Sequence, residues 1–182
     1  LIRRLRRFSP RVVFTHPGVD YHPDHRYTAQ LTGDAAFLLR VPHVCPDVPA
    51  LDYEPVQACY FPAWRYPGLP GGFSVAVSID DVWGRKLEML ACHASQFFEW
   101  LPWLDGTDPD RLPRDPDGRL AALDAARGPH ARLAAACARE RLRDLYGDAA
   151  GRAVTRAEVF VPAPYPGFLT ADNYRAVFPF FA

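Results

Sequence analysis

The pattern that most restricts what this chain can fold into is an alternation of short apolar or β-branched runs with longer stretches of helical periodicity. Arg11-Val12-Val13-Phe14-Thr15, Pro55-Val56-Gln57-Ala58-Cys59-Tyr60, Phe73-Ser74-Val75-Ala76-Val77-Ser78-Ile79 and Arg156-Ala157-Glu158-Val159-Phe160-Val161 are of strand length. The first suits a buried parallel strand and the last an edge or late strand. Between them, Leu1, Leu5 and Phe8 stand at helical spacing, and Tyr27, Leu31, Ala35, Leu38 and Leu39 share one face of a helix running from Pro23 to about Arg40. Trp83, Leu87, Leu90, Ala91, Ala94 and Phe97 recur at helical intervals. Leu133, Ala134, Cys137, Leu142 and Leu145 face inward on a helix predicted from about Pro129 to Tyr146. Strand and helix in alternation define an open α/β sheet. With 182 residues, 49% of them hydrophobic, and no internal repeat, the chain reads as one domain over 1–182 with a sizeable core.

Punctuation supports this reading. Ser9-Pro10 is a break, Pro23 suits the first turn of a helix because its missing N–H costs nothing there, and Asp80 or Asp81 can cap the helix that follows. Residues 41–72 are rich in proline and glycine and carry Phe61, Trp64 and Tyr66. Such a stretch serves either as a binding loop or as cover for the core. Residues 102–118 read as a second polar loop, rich in proline and aspartate.

Charge narrows the classes of partner. Lysine plus arginine and aspartate plus glutamate both number 21. A neutral chain has no global field to draw in nucleic acid or an acidic membrane, so Arg3, Arg4, Arg6 and Arg7 read as the solvated face of the first helix. The four cysteines form no C-x-x-C pair, and a reducing, cytoplasmic setting is the expectation. No apolar signal-peptide core or membrane span is legible, and the sole methionine, Met89, makes Leu1 no initiator. The opening reads as a helix already under way, and the chain as incomplete.

Chemistry concentrates in Asp20-Tyr21-His22-Pro23-Asp24-His25-Arg26, at a strand-to-helix crossing where open α/β sheets place ligands. Two imidazoles and a carboxylate within four residues can supply a metal ligand, an acid-base group and a partner that fixes a histidine tautomer. Spacing alone leaves a pair of solvated histidines equally open. Further along, Lys86, the only lysine, and His93 are seven residues apart and share a helical face.

Thr15-His16 closing a strand, the Asp20–Arg26 run opening a helix, and then Lys86, His93, Ser95 and Gln96 in that order resemble the LmbE/PIG-L family of zinc-dependent sugar N-deacetylases. The resemblance implies a Rossmann-like, open, mostly parallel sheet flanked by helices, with zinc or another divalent metal as cofactor. It implies an N-acetylated amino sugar or sugar conjugate as substrate, and assembly into homo-oligomers. It makes His25 a zinc ligand and gives His22 the task of stabilising or protonating the tetrahedral intermediate. Asp24 would orient a histidine, while Asp20, Arg26, His93, Ser95 and Gln96 would support the pocket. The family's other zinc ligands and its general base come from a His-Pro-Asp-Asp run, which neither His16-Pro17 nor His22-Pro23 continues into. The expectation is therefore an LmbE-like domain without its N-terminal portion, weak in zinc binding and inactive as it stands. The alternative is a catalytically inactive relative that holds carbohydrate on the aromatics around Trp64 and Tyr66.

Overall fold

The computed structural model describes residues 1–62, 65, 73–165 and 167–181. Trp64 and Tyr66, on which the carbohydrate-binding alternative rests, lie outside the described residues. The class is α/β, built on a four-stranded sheet of β1 (Val12–Thr15), β2 (Val56–Phe61), β3 (Val75–Ser78) and β4 (Ala157–Pro162) in the order β1-β2-β4-β3. β1 pairs with β2 in parallel, whereas β2 pairs with β4 antiparallel, so the sheet is mixed rather than mostly parallel. The expected roles of first and last strand are exchanged. β1 is at an edge with Phe14 half exposed, while β4 is interior and buries Ala157, Val159 and Val161 in strict alternation. An alternating run identifies a strand, but its neighbours depend on connections that the run itself does not encode.

Contacts within the chain cluster into two compact units. The first takes Leu1–Pro62 with the described residues of Gly68–Ala76 and Val159–Ala182; the second takes Val77–Glu158 and Arg65. The boundary passes through β3 and β4.

In the first unit, α2 (Pro23–Leu38) packs through small residues: Ala29, Thr32, Gly33, Ala35 and Ala36 are buried. Tyr27 and Leu31, expected on the inward face, are 64% and 61% exposed. Gly33 shows why size decides the face, because a Cβ there would fall 2.2 Å from the Tyr165 ring. The expected face of α1 (Ile2–Phe8) is also turned around, with Leu1 and Phe8 exposed and Arg6 buried. Arg6, predicted on a solvated face, donates from Nε to the Leu39 carbonyl, from Nη1 to Val44, Cys45 and Val48, and from Nη2 to Leu38 and Val41, at 2.6–3.2 Å. These include the Leu38 and Leu39 carbonyls at the end of α2, which also accept from the Val41 and Leu51 amides, and the last turn of α2 holds no basic residue of its own. A cation suits that negative end of the helix dipole.

The second unit is organised around Ile79, Trp83, Leu87, Phe98, Leu123 and Ala131, with Leu90, Ala91, Ala94 and Phe97 packed against them, as the spacing predicts. Other expectations there fail. Neither Asp80 nor Asp81 caps α3 (Trp83–Ala91), whose N-cap is Val82 without a side-chain bond. Asp80 instead accepts from the Thr155 amide at 2.7 Å and from its hydroxyl. Burial opposes its charge, but those hydrogen bonds and the Arg156 charge hold its carboxyl below the ordinary value. The predicted loop 102–118 contains α4 (Leu101–Leu104), a 3-10 turn at Pro109–Arg111 and the start of α5 (Pro116–Cys137). Asp115 caps α5 by accepting from the Gly118 amide at 2.8 Å. Pro129, taken as a helix start, lies inside α5, and α6 (Arg139–Tyr146) is separate from it. Leu133 is exposed rather than inward-facing. The unit closes with α7 (Asp148–Ala153), and α8 (Tyr174–Val177) belongs to the first unit. No helix among the described residues is long and apolar enough to cross a membrane.

Candidate functional site

β1 ends at Thr15 and α2 begins at Pro23, so His16 to His22 form the loop between strand and helix. His22 is the N-cap of α2 in an extended conformation, and its Nδ1 accepts from the Asp24 amide at 3.2 Å. A backbone N–H can only donate, so Nδ1 is the unprotonated nitrogen and the proton of the neutral ring sits on Nε2. Asp20 sets the opposite arrangement one turn further on. Its carboxylate, with 5% of the side chain exposed, accepts from the His22 amide at 2.8 Å and faces His25 Nδ1 at 2.9 Å. A carboxylate accepts, so His25 carries a proton on Nδ1, and in its neutral form it presents a lone pair at Nε2. Two imidazoles three residues apart thus hold opposite tautomers: His22 offers a donor and His25 an acceptor.

The surrounding groups stiffen this arrangement. Arg26 Nη1 donates to the carbonyls of Asp20 and Tyr21 at 2.8 and 3.0 Å, closing the loop. Tyr21 sets its edge against both rings, at 5.8 Å from His22 and 5.6 Å from His25. The His16 ring stacks on His25 at 4.2 Å and 2°. Burial, and then the neighbouring His25, lower the His16 pKa, against the opposing pull of Asp20. Beneath it the Cys59 thiol donates to the His16 carbonyl at 3.3 Å, and burial pushes its pKa up to about 11.

Five of the predicted residues, Asp20, His22, Asp24, His25 and Arg26, are therefore together, with the task of contacting His25 on Asp20. Asp24, expected to orient a histidine, has 87% of its side chain exposed, and its carboxylate comes no closer to His22 Nδ1 than 3.9 Å. The sequence assigns His16 no role, and its stacking has no signal there beyond its place at the end of a strand. His93, Ser95 and Gln96 are exposed in the second unit. α3 ends at Ala91 and Ser95–Trp100 winds as a π-helix, so the helical register that would put His93 on the Lys86 face is broken. The Lys86 ammonium pairs with Glu158.

Among the described residues no group of three or more His, Cys, Asp and Glu side chains is arranged to hold a metal ion. His25 fits one position of such a site, because a ligating imidazole ordinarily donates its other N–H to a carboxylate. His16 does not supply a second position in this arrangement. In-plane lone pairs of parallel stacked rings run side by side, whereas zinc needs donors converging at about 2.0–2.1 Å.

No protein-family model and no curated protein matches the chain. Among solved structures it is similar to the conserved protein TT1542 from Thermus thermophilus, at 23% sequence identity and a TM-score of 0.44, over 91% of this chain and 56% of that one. The chain thus spans little more than half the length of that neighbour.

Proposed function

We propose that this chain carries part of the site of a zinc-dependent N-deacetylase that removes an acetyl group from an N-acetylated amino sugar or sugar conjugate, in a Rossmann-like, LmbE-like fold. The observation that carries the reading is the pair of opposed tautomers held by Asp20 and the α2 cap. Amide hydrolysis at a metal needs a neutral imidazole as ligand and, beside it, a donor for the developing oxyanion. His25 Nε2 serves the first need and His22 Nε2–H the second. A bound zinc would supply Lewis acidity toward the amide carbonyl and toward water. His25 donates its lone pair, and Asp20 holds that ring in plane and in tautomer. The His22 Nε2–H donates to the oxyanion, and once the ring has taken a second proton on Nδ1, giving up its contact with the Asp24 amide, the imidazolium passes its Nε2 proton to the departing amine and is left neutral. The remaining ligands and the general base are assigned by the resemblance to a His-Pro-Asp-Asp run that these 182 residues do not contain.

The test is a zinc titration of the chain with long-range proton–nitrogen NMR on the imidazoles. Before zinc, His22 should read as the Nε2–H tautomer and His25 as the Nδ1–H tautomer. On adding zinc, His25 Nε2 should shift with weak affinity, and no acetate should be released from acetylated amino sugars. The proposal fails if zinc leaves His25 unmoved or binds tightly elsewhere.

A further inference from the structure

The second unit contains a cavity of about 130 Å³ between the π-helix and α5 that no part of the proposed deacetylase chemistry uses. Its walls are apolar over most of their extent, with Phe97, Phe98, Leu112 and Leu123 among the lining residues. An apolar cavity of about 150 Å³ is enough to hold benzene, so this one suits a body of that order. Two charged residues, Asp105 and Arg127, also line it.

Arg127 is the unusual member. Its guanidinium lies over the Phe97 ring at 5.2 Å, and its Nε is buried with no hydrogen-bond acceptor among the described residues. No carboxylate among the described residues pairs with it, although the chain's arginines are elsewhere commonly tied to aspartates or to backbone carbonyls. A buried donor without an acceptor is costly, and a guanidinium presents a planar fork matched to a carboxylate. About two turns earlier on α5, Arg119 covers the Phe98 ring at 4.6 Å. Two guanidinium groups therefore lie over consecutive aromatic rings; of these only Arg127 lines the cavity, together with one carboxylate residue, Asp105, which is exposed. On α5 itself His130 also faces Arg127, and burial followed by the Arg127 charge keeps that imidazole below its ordinary value.

We infer that this cavity binds a small organic monocarboxylate with a compact apolar body, of the size of benzoate or a branched short-chain acid, its carboxylate on Arg127 and its body against Phe98 and Leu123. The buried Arg127 Nε, without an acceptor among the described residues, favours an anion over an amine, because Asp105 is exposed to solvent. The inference stands independently of the deacetylase reading, since it uses no residue of the first unit.

The decisive experiment is an amide NMR titration of the 182-residue chain with benzoate and with its neutral isostere benzamide. Benzoate should bind at least tenfold more tightly than benzamide and shift resonances in 97–98 and 122–127. Arg127→Met, which keeps much of the stem over Phe97, should remove that tenfold preference while a thermal melt confirms that the variant is folded. Equal affinity for the two ligands, or benzoate shifts confined to other residues, would overturn the inference. The ligand comparison decides the matter on the unaltered protein even if the variant does not fold.

Discussion

Two segments carry the chemistry-bearing residues of this sequence, and the fold treats them differently. Asp20–Arg26 is bound into a helix start by a histidine cap, a buried carboxylate and an arginine clamp on two carbonyls. His93–Gln96 falls where α3 gives way to a π-helix, and its bonds run through the backbone, from the Gln96 and Phe97 amides to the His93 carbonyl. The contrast teaches that a motif becomes a site when its side chains meet the unsatisfied backbone groups of a helix end. At a junction whose backbone is already satisfied, the same residue types stay in solvent.

The contrast is most sharply tested by two thiols, one in each region. Cys59 lies under His16 with a pKa of about 11, and Cys92 is exposed beside His93. Because the thiolate is the reactive species, iodoacetamide at pH 8 should modify Cys92 at least a hundredfold faster than Cys59, as followed by mass spectrometry. Comparable rates would mean that the first region opens as readily as the second. Asp20→Ala strands the His22 and His25 donors and should lower stability by about 1–3 kcal/mol in a denaturant melt. Asp20→Asn, whose amide oxygen still accepts, should lose less.

The pH dependence comes next in size. His16 has a folded pKa below its unfolded value. The unfolded chain therefore binds more protons as pH falls through about 6.5, so this contribution is complete above that pH and declines below it toward the folded pKa. His16→Phe keeps the stacked ring and removes the titration, and it should shallow the loss of stability between pH 7.5 and 5.5. His130, also lowered by burial, acts with the same sign and leaves a residual slope. Smallest of all, His93→Ala, Ser95→Ala and Gln96→Ala should each stay within about 0.5 kcal/mol of the parent chain. A larger loss at any of them would erase the distinction between the two segments.

How far the sequence led follows from the same physics. β1 to β4 all lie within a residue or two of the runs predicted for them, because a short β-branched run satisfies its period locally. Strand order was not legible, which is why β4 and β1 exchanged their expected places. The large apolar residues of α2 do not mark its buried face, because Ala29, Gly33 and Ala36 allow the close approach. The start of α5 is written in Asp115-Pro116, a cap followed by proline at the first helical position, whereas Pro129, which also has the form of a helix start, lies inside the helix. In the site, the wording of Asp20–Arg26 was legible. Which carboxylate meets His25 was not, since Asp20 reaches it by way of a loop turn that also satisfies the His22 amide, whereas the resemblance implies Asp24, whose place next to His25 on the helix turns it away from that ring.

The hold of Arg6 on six carbonyls has a kinetic consequence. A guanidinium that leaves such a nest gives up six hydrogen bonds at once, so partial release offers little relief. The amides of α1, the end of α2 and residues 41–48 should accordingly exchange with deuterium as one cooperative block. Arg6→Lys, with three donors in place of five, would divide that block, and separate exchange rates for 2–8 and 41–48 would be the sign of it.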